Sequence, residues 1–201
     1  MMGTVTGSLL QFSAVVSRRL RSDREFILPD GLKLRLRELR PDDRARLQRF
    51  LARCSAESIR TRFFRPISEF PDALLDQLLT VEGQRRLALI VTRGEGDNEE
   101  IVAEGRAVVA QKRPQIADVA FLVQDELQRR GIATRLLREL TALACRRGLT
   151  HFSADVLADN RAMLALIRKT GRRLASTISY GVIHFEIPLT CGDAAALPRV
   201  A

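Results

Sequence analysis

Tryptophan is absent from this 201-residue chain, tyrosine occurs once, at Tyr180, and lysine three times, at Lys33, Lys112 and Lys169. The nine phenylalanines lie mostly in apolar contexts, so the stacking platforms that hold single-stranded nucleic acid are missing. All but three of the 33 basic residues are arginines, interleaved with acids along the chain; the formal charge of +9 therefore reads as a solvated surface, and no nucleic-acid partner is expected. Cys54, Cys145 and Cys191 are odd in number, far apart and without a CxxC pair, which speaks against a disulfide framework and a zinc site and for a reducing, cytoplasmic setting. His151 and His184, the only histidines, sit in strand-like segments and read as structural, so no metal is expected. No apolar run approaches the ~20 residues of a membrane-spanning helix, and no membrane partner is expected.

What is present fits one folded domain, since domains average roughly 150 residues. Residues 1–22 lack acids and carry Arg18, Arg19 and Arg21 behind the weakly amphipathic Leu9–Val16. Ser, Gly and Thr dilute that stretch and no small-residue cleavage pattern follows, so residues 1–30 read as a terminal tail, 31–190 as the domain and 191–201 as a second tail.

From Gly31 onward, periodicity separates the elements. Leu32, Leu34 and Leu36 alternate with basic residues as a half-buried strand; Pro41-Asp42-Asp43 opens a helix carrying Leu47, Phe50 and Leu51. Helices are expected over Ser55–Phe64 and Pro71–Thr80, then strands over Arg86–Val91 and Ile101–Ala110 joined by the turn Gly94–Asn98. Strand Ile116–Val123 leads into a helix over Gly131–Arg147, with Gly148 as a left-handed cap. Phe152–Leu157 is a strand, Asp159–Thr170 a helix closed by Gly171, and Leu174–Ser179 with Val182–Pro188 a hairpin around Tyr180-Gly181. Helices over a mixed sheet give an α/β (α+β) class.

The loop Gln128-Arg129-Arg130-Gly131-Ile132-Ala133-Thr134 puts small residues at a helix start, where unpaired N–H groups and the helix dipole favour a pyrophosphate. Gly131 permits close approach, Ala133 keeps the next turn open, and Arg129 or Arg130 could reach an outer phosphate. Read alone, such a loop is an ordinary turn before an amphipathic helix whose core stripe is Leu136, Leu137, Leu140, Leu143 and Ala144. A second unit follows it: strand 152–157, then Asn160, Met163, Leu166, Lys169 and Gly171 in the pattern NxxMxxLxxKxG, where Asn160 can cap its helix and offer an amide to a ligand.

With ADVAFLV (117–123), QRRGIA (128–133) and NRAMLALIRKTG (160–171), the chain resembles the GNAT superfamily of N-acetyltransferases over about Leu32–Pro188. LADNRAMLALIRKTG and SAESIRTRFF are similar in wording to the catalytic domain of bacterial protein lysine acetyltransferases that modify acyl-CoA synthetases. The resemblance implies a mostly antiparallel sheet flanked by helices and splayed at the acetyl-CoA site. Acetyl-CoA is then the acyl donor, and the partner is a protein acceptor bearing a lysine, an acyl-CoA synthetase among the candidates. Backbone N–H groups of Gln128–Thr134 would take the CoA pyrophosphate, and pantetheine would pair along Phe121, Leu122 and Val123. The Leu122 N–H would polarise the thioester carbonyl.

In members with the pattern AEVAF the Glu is the general base; that position here is Asp118, one methylene shorter and on the same strand face as Leu122, so proton relay through water is expected. Where many members place a tyrosine to protonate the departing thiolate, this chain has Ile167; Tyr180 lies in a turn. A small-amine acceptor, or a degenerate module that senses acyl-CoA without transferring it, are the alternatives. Oligomeric state has no sequence signal.

Overall fold

A computed structural model describes residues 23–80, 85–170 and 174–191. Eight strands form one sheet: β1 (Arg24–Ile27), β2 (Lys33–Glu38), β3 (Arg86–Arg93), β4 (Glu100–Val109), β5 (Ile116–Val123), β6 (His151–Leu157), β7 (Ala175–Ser179) and β8 (Val182–Pro188). Their spatial order is β1-β2-β3-β4-β5-β6-β8-β7. Every neighbouring pair is antiparallel except β5 with β6. That parallel pair is joined through α4 (Ile132–Arg146), as a crossover requires.

β3 alternates between two buried faces. Leu87, Leu89 and Val91 join the layer under α4 and α5 (Arg161–Arg168), while Ala88 and Ile90 join the layer under α1 (Arg44–Arg53), α2 (Ala56–Phe63) and α3 (Asp72–Leu79). Helices on both faces explain why this strand is apolar throughout rather than at every second residue. α4 contributes the expected stripe Leu136, Leu137, Leu140, Leu143 and Ala144, and its C-terminal turn closes on Gly148 at φ 76°, the left-handed cap read from the sequence. Tyr180 (φ 48°) and Gly181 (φ 76°) form the two-residue β7–β8 turn, with Tyr180 fully in solvent.

Two expectations are corrected. The sheet starts before Gly31: Arg24–Ile27 pairs with β2 and buries Phe26, too short an alternation to stand out beside a basic tail. Residues 1–22 and 192–201 of the expected tails, and Gly171, lie outside the described residues. Second, a disulfide links Cys145 on α4 to Cys191 just past β8, with Cα atoms 5.3 Å apart. Spacing in sequence could not reveal a pair that only the β6–β8 return brings together. Cys54 is a free thiol, pushed up to about 12 by burial.

A buried ion pair fixes the base of α1. Both terminal nitrogens of Arg37 lie 2.7 Å from the carboxylate of Asp43, and Glu99 approaches the same guanidinium at 3.0 Å. No helix among the described residues is long and apolar enough to cross a membrane.

Candidate functional site

β5 and β6 share three rungs, Ile116 with His151, Ala117 with Phe152 and Asp118 with Ser153. Past that point each follows another neighbour: β5 stays on β4 as far as Val123, and β6 stays on β8 as far as Leu157. The sheet therefore parts where the family resemblance requires an opening. Gly105 helps to clear it, because a Cβ there would meet the Phe121 ring at 2.9 Å; the bare backbone lets that ring lie back against β4.

Backbone alternation decides which amides face the opening. Gln124 donates its N–H to Val102 and Ile116 accepts from Ala110, both on the β4 side, whereas the Gln115 carbonyl accepts from Thr150 on the β6 side. In an unbroken antiparallel register the bonding side changes at each residue. Asp118, Ala120 and Leu122 thus turn their amides toward β4, and Val119, Phe121 and Val123 toward the gap. This corrects the expectation for Leu122: its N–H is committed to the β4 ladder, and the amides available to a ligand strand are those of Phe121 and Val123. The strand period of two, anchored by a β4–β5 register that runs unbroken from Ala103 to Val109, supplied a parity that the motif alone did not.

At the end of the opening stands α4. Gly131 caps it in a left-handed conformation (φ 84°), and Arg135 bonds back to Gly131 as the first intrahelical link, so the N–H groups of Ile132, Ala133 and Thr134 have no helical acceptor. Arg129 also adopts positive φ (60°) and lines the cavity. Arg130 turns away to an ion pair with Asp30 and does not line the cavity, which removes its side chain as a phosphate ligand. Gln128 donates to the Ser58 hydroxyl at 3.0 Å and to the Val123 carbonyl at 3.2 Å, so its side chain locks the loop to α2 and β5.

These elements enclose a cavity of about 840 Å³ running from Asp118 past Phe121 and Val123 to Gly131 and on to Asn160 and Lys169. Asn160 caps α5 as expected, its Oδ1 accepting the Met163 N–H at 3.0 Å. Ile167 is buried against the sheet. α2 roofs the cavity with Thr61, Arg62, Phe63 and Phe64, and is strapped across it: Arg60 donates to both Glu57 and Asp159 at 2.7 Å, and Asp125 takes the hydroxyls of Ser55 and Ser58.

Asp118 faces the cavity with the Ser153 hydroxyl at 3.4 Å. Burial, then the like charge of Asp155, pushes its carboxyl above the ordinary range, while Ser153, Arg62 and His184 pull the other way. Beside it, Glu104 and Arg106 of β4 form a buried pair to which Arg62 approaches within 3.9 Å. Burial alone would raise Glu104, but the two guanidiniums more than offset this and hold it below the usual range. Glu104 Oε2 and Arg62 Nε have no hydrogen-bond partner among the described residues.

Of the residues read from the sequence, the structure brings together Asp118, Phe121, Leu122, Val123, Gln128, Arg129, Gly131, Ile132, Ala133, Thr134 and Asn160 around one cavity; Arg130 is the exception. Sequence reading missed Arg62, Asp155 and Arg161, and gave Lys169 of the NxxMxxLxxKxG pattern no role. For Arg62 the signal was present, in SAESIRTRFF; Asp155 carried none beyond its place in a strand. No cluster of three or more His, Cys, Asp or Glu among the described residues forms a metal site.

The sequence profile of the acetyltransferase (GNAT) family matches residues 53–171. The chain is 32% identical over 137 residues to Acetyltransferase PA5475 of Pseudomonas aeruginosa, covering 68% of this chain and 73% of that protein. It is 29% identical over 174 residues to Acetyltransferase Pat of Mycolicibacterium smegmatis, covering 82% of this chain and about half, 51%, of that longer protein. Among solved structures, the GNAT domain of S. lividans PAT is similar at a TM-score of 0.74 with 30% identity, over 83% of this chain and 97% of that domain.

Proposed function

The chain belongs to the acetyltransferase (GNAT) family, and from that premise we propose that it moves the acetyl group of acetyl-CoA to the ε-amine of a lysine on a protein by direct attack on the thioester. The observation that carries this reading is the parting of β5 from β6 immediately beyond Asp118 and Ser153, next to a helix start with three unpaired amides.

In this reading the donor's pyrophosphate rests on the amides of Ile132–Thr134, with Arg129 beside it, and its tether pairs as a strand with the Phe121 carbonyl and the Val123 amide. The amine nitrogen attacks the carbonyl carbon; a C–N bond forms as the carbonyl oxygen gathers charge. With Leu122 turned to β4, the gap-facing Phe121 N–H serves as the donor to that oxygen in this reading. Only a neutral amine has a lone pair to offer, so Asp118 takes its proton through water; a carboxylate raised above its normal value is a better base near neutral pH. The C–S bond then breaks, and the nitrogen gives up its second proton to water. Ile167 offers no proton, and a thiolate with a pKa near ~8.5 can leave and be protonated by solvent.

Acceptor identity rests on the wording of LADNRAMLALIRKTG and SAESIRTRFF, whose resemblance to bacterial protein lysine acetyltransferases favours a protein lysine, an acyl-CoA synthetase among the candidates. Incubating candidate proteins with and without acetyl-CoA and reading acetyl mass gain tests it. The buried Ile167 supports one rival, an acyl-CoA sensor without turnover; that rival predicts thermal stabilisation by acetyl-CoA and no mass gain on any acceptor.

A further inference from the structure

Asp155 stands on the far lip of the opening from Asp118, and the transfer derived above gives it no part. Ser153 is the partner of Asp118 in the last rung, and Asp155 lies two residues further along β6, so both aspartates leave the sheet on one face; both line the cavity. The cavity's other carboxylates are already matched: Glu57 and Asp159 each pair with Arg60. Among the described residues, Asp118 and Asp155 are the cavity carboxylates with no arginine or lysine in ion-pair contact.

Asp155 is instead held from its outer side. It faces His184 on β8, whose Nδ1 lies 2.6 Å from Asp155 Oδ1. An ionised carboxylate only accepts, so the ring N–H donates, which fixes the side chain without requiring a charged imidazole. Two carboxylates facing one cavity repel each other, and a cation lodged between them relieves that repulsion.

We propose that Asp155, held by His184, is the docking group for the acceptor's ammonium, so that the site selects a primary amine arriving protonated; this rests on the acetyl-transfer reading of the same cavity. The division of labour is physical. Asp155 holds the cation from β6, two residues past the last shared rung, and Asp118, at that rung on β5, takes its proton through water when the nitrogen reaches the thioester. Arg62 of α2 lines the same cavity, and its positive charge opposes an ammonium coming close to it.

The test uses Nα-acetyl-lysine amide as probe and its uncharged analogue, Nα-acetyl-norleucine amide, as control. Each is titrated calorimetrically into the CoA-loaded protein, and turnover is followed with acetyl-CoA. Asp155→Asn should weaken lysine-amide binding at least about tenfold, erase its advantage over norleucine amide, and raise KM far more than it lowers kcat; acetyl-CoA affinity reports that the fold is intact. His184→Gln should do the same to a smaller degree, about threefold. Equal lysine-amide affinity in wild type and Asp155→Asn, no preference over norleucine amide in the wild type, or a loss confined to kcat would each overturn the proposal. A wild-type protein that binds the lysine amide through Asp155 yet never transfers acetyl would sink the transfer reading and leave the docking role standing.

Discussion

Asp118 and Ser153 are the last residues at which β5 and β6 remain neighbours, and the Ser153 hydroxyl still reaches the Asp118 carboxylate, at 3.4 Å. The proposed general base and the start of the opening are thereby fixed by the same rung. One strand carries a carboxylate at the point of departure and gap-facing amides at Phe121 and Val123 beyond it.

Replacing Asp118 by Asn should lower kcat about 10²-fold or more, the usual range for losing a positioned general base. It should also leave the fold no less stable at neutral pH. The sign follows from the direction of the shift: a carboxyl whose folded value is raised costs stability once pH exceeds its unfolded value, and Asn removes that cost. Steady-state rates and thermal melts on the same samples check both halves.

Gly131→Ala places a Cβ on a residue at φ 84°, where an L side chain costs about 1–2 kcal/mol. The α4 start should shift to relieve it, so acetyl-CoA affinity measured by calorimetry should fall together with the melting temperature.

The Arg37–Asp43–Glu99 cluster predicts acid sensitivity at the base of α1. Burial alone would raise Asp43, but the hydrogen bond from Arg37 more than compensates and its carboxyl lies below the ordinary range. Its stabilisation is thus complete above the unfolded carboxylate value near ~3.9 and is lost as pH falls through the lower folded value. Asp43→Asn, which leaves the Arg37 charge buried without its best partner, should cost about 3–5 kcal/mol in denaturant unfolding at pH 7.

Reducing Cys145–Cys191 opens a loop with a sequence separation of 46, worth about 4 kcal/mol in the chain-entropy description. Melts with and without a thiol reductant should differ accordingly, and Cys191→Ser should remove the difference.

Most of the sheet could be read from sequence because its strands either alternate, as in Leu32–Leu36, or run apolar between turn residues, as in Arg86–Val91. The loop opening α4 was legible because a glycine is what the left-handed cap at Gly131 favours and small residues follow it. What escaped is set by strand pairing. Whether the Leu122 or the Phe121 amide faces the gap depends on the register of β5 against β4. Asp155 enters the site because β6 diverges beside it, and Arg130 leaves it because Asp30 sits within reach. The Cys145–Cys191 link likewise depends on the return of β8 along β6.

Residue-resolved amide hydrogen exchange, with and without saturating acetyl-CoA, tests the central claim most directly. New protection should appear at Phe121 and Val123 and at Ile132–Thr134, with Leu122 already slow in the free protein and unchanged on binding. Exchange at Phe121, Val123 and the α4 start that acetyl-CoA leaves untouched, or protection that falls on Leu122 instead, would contradict it.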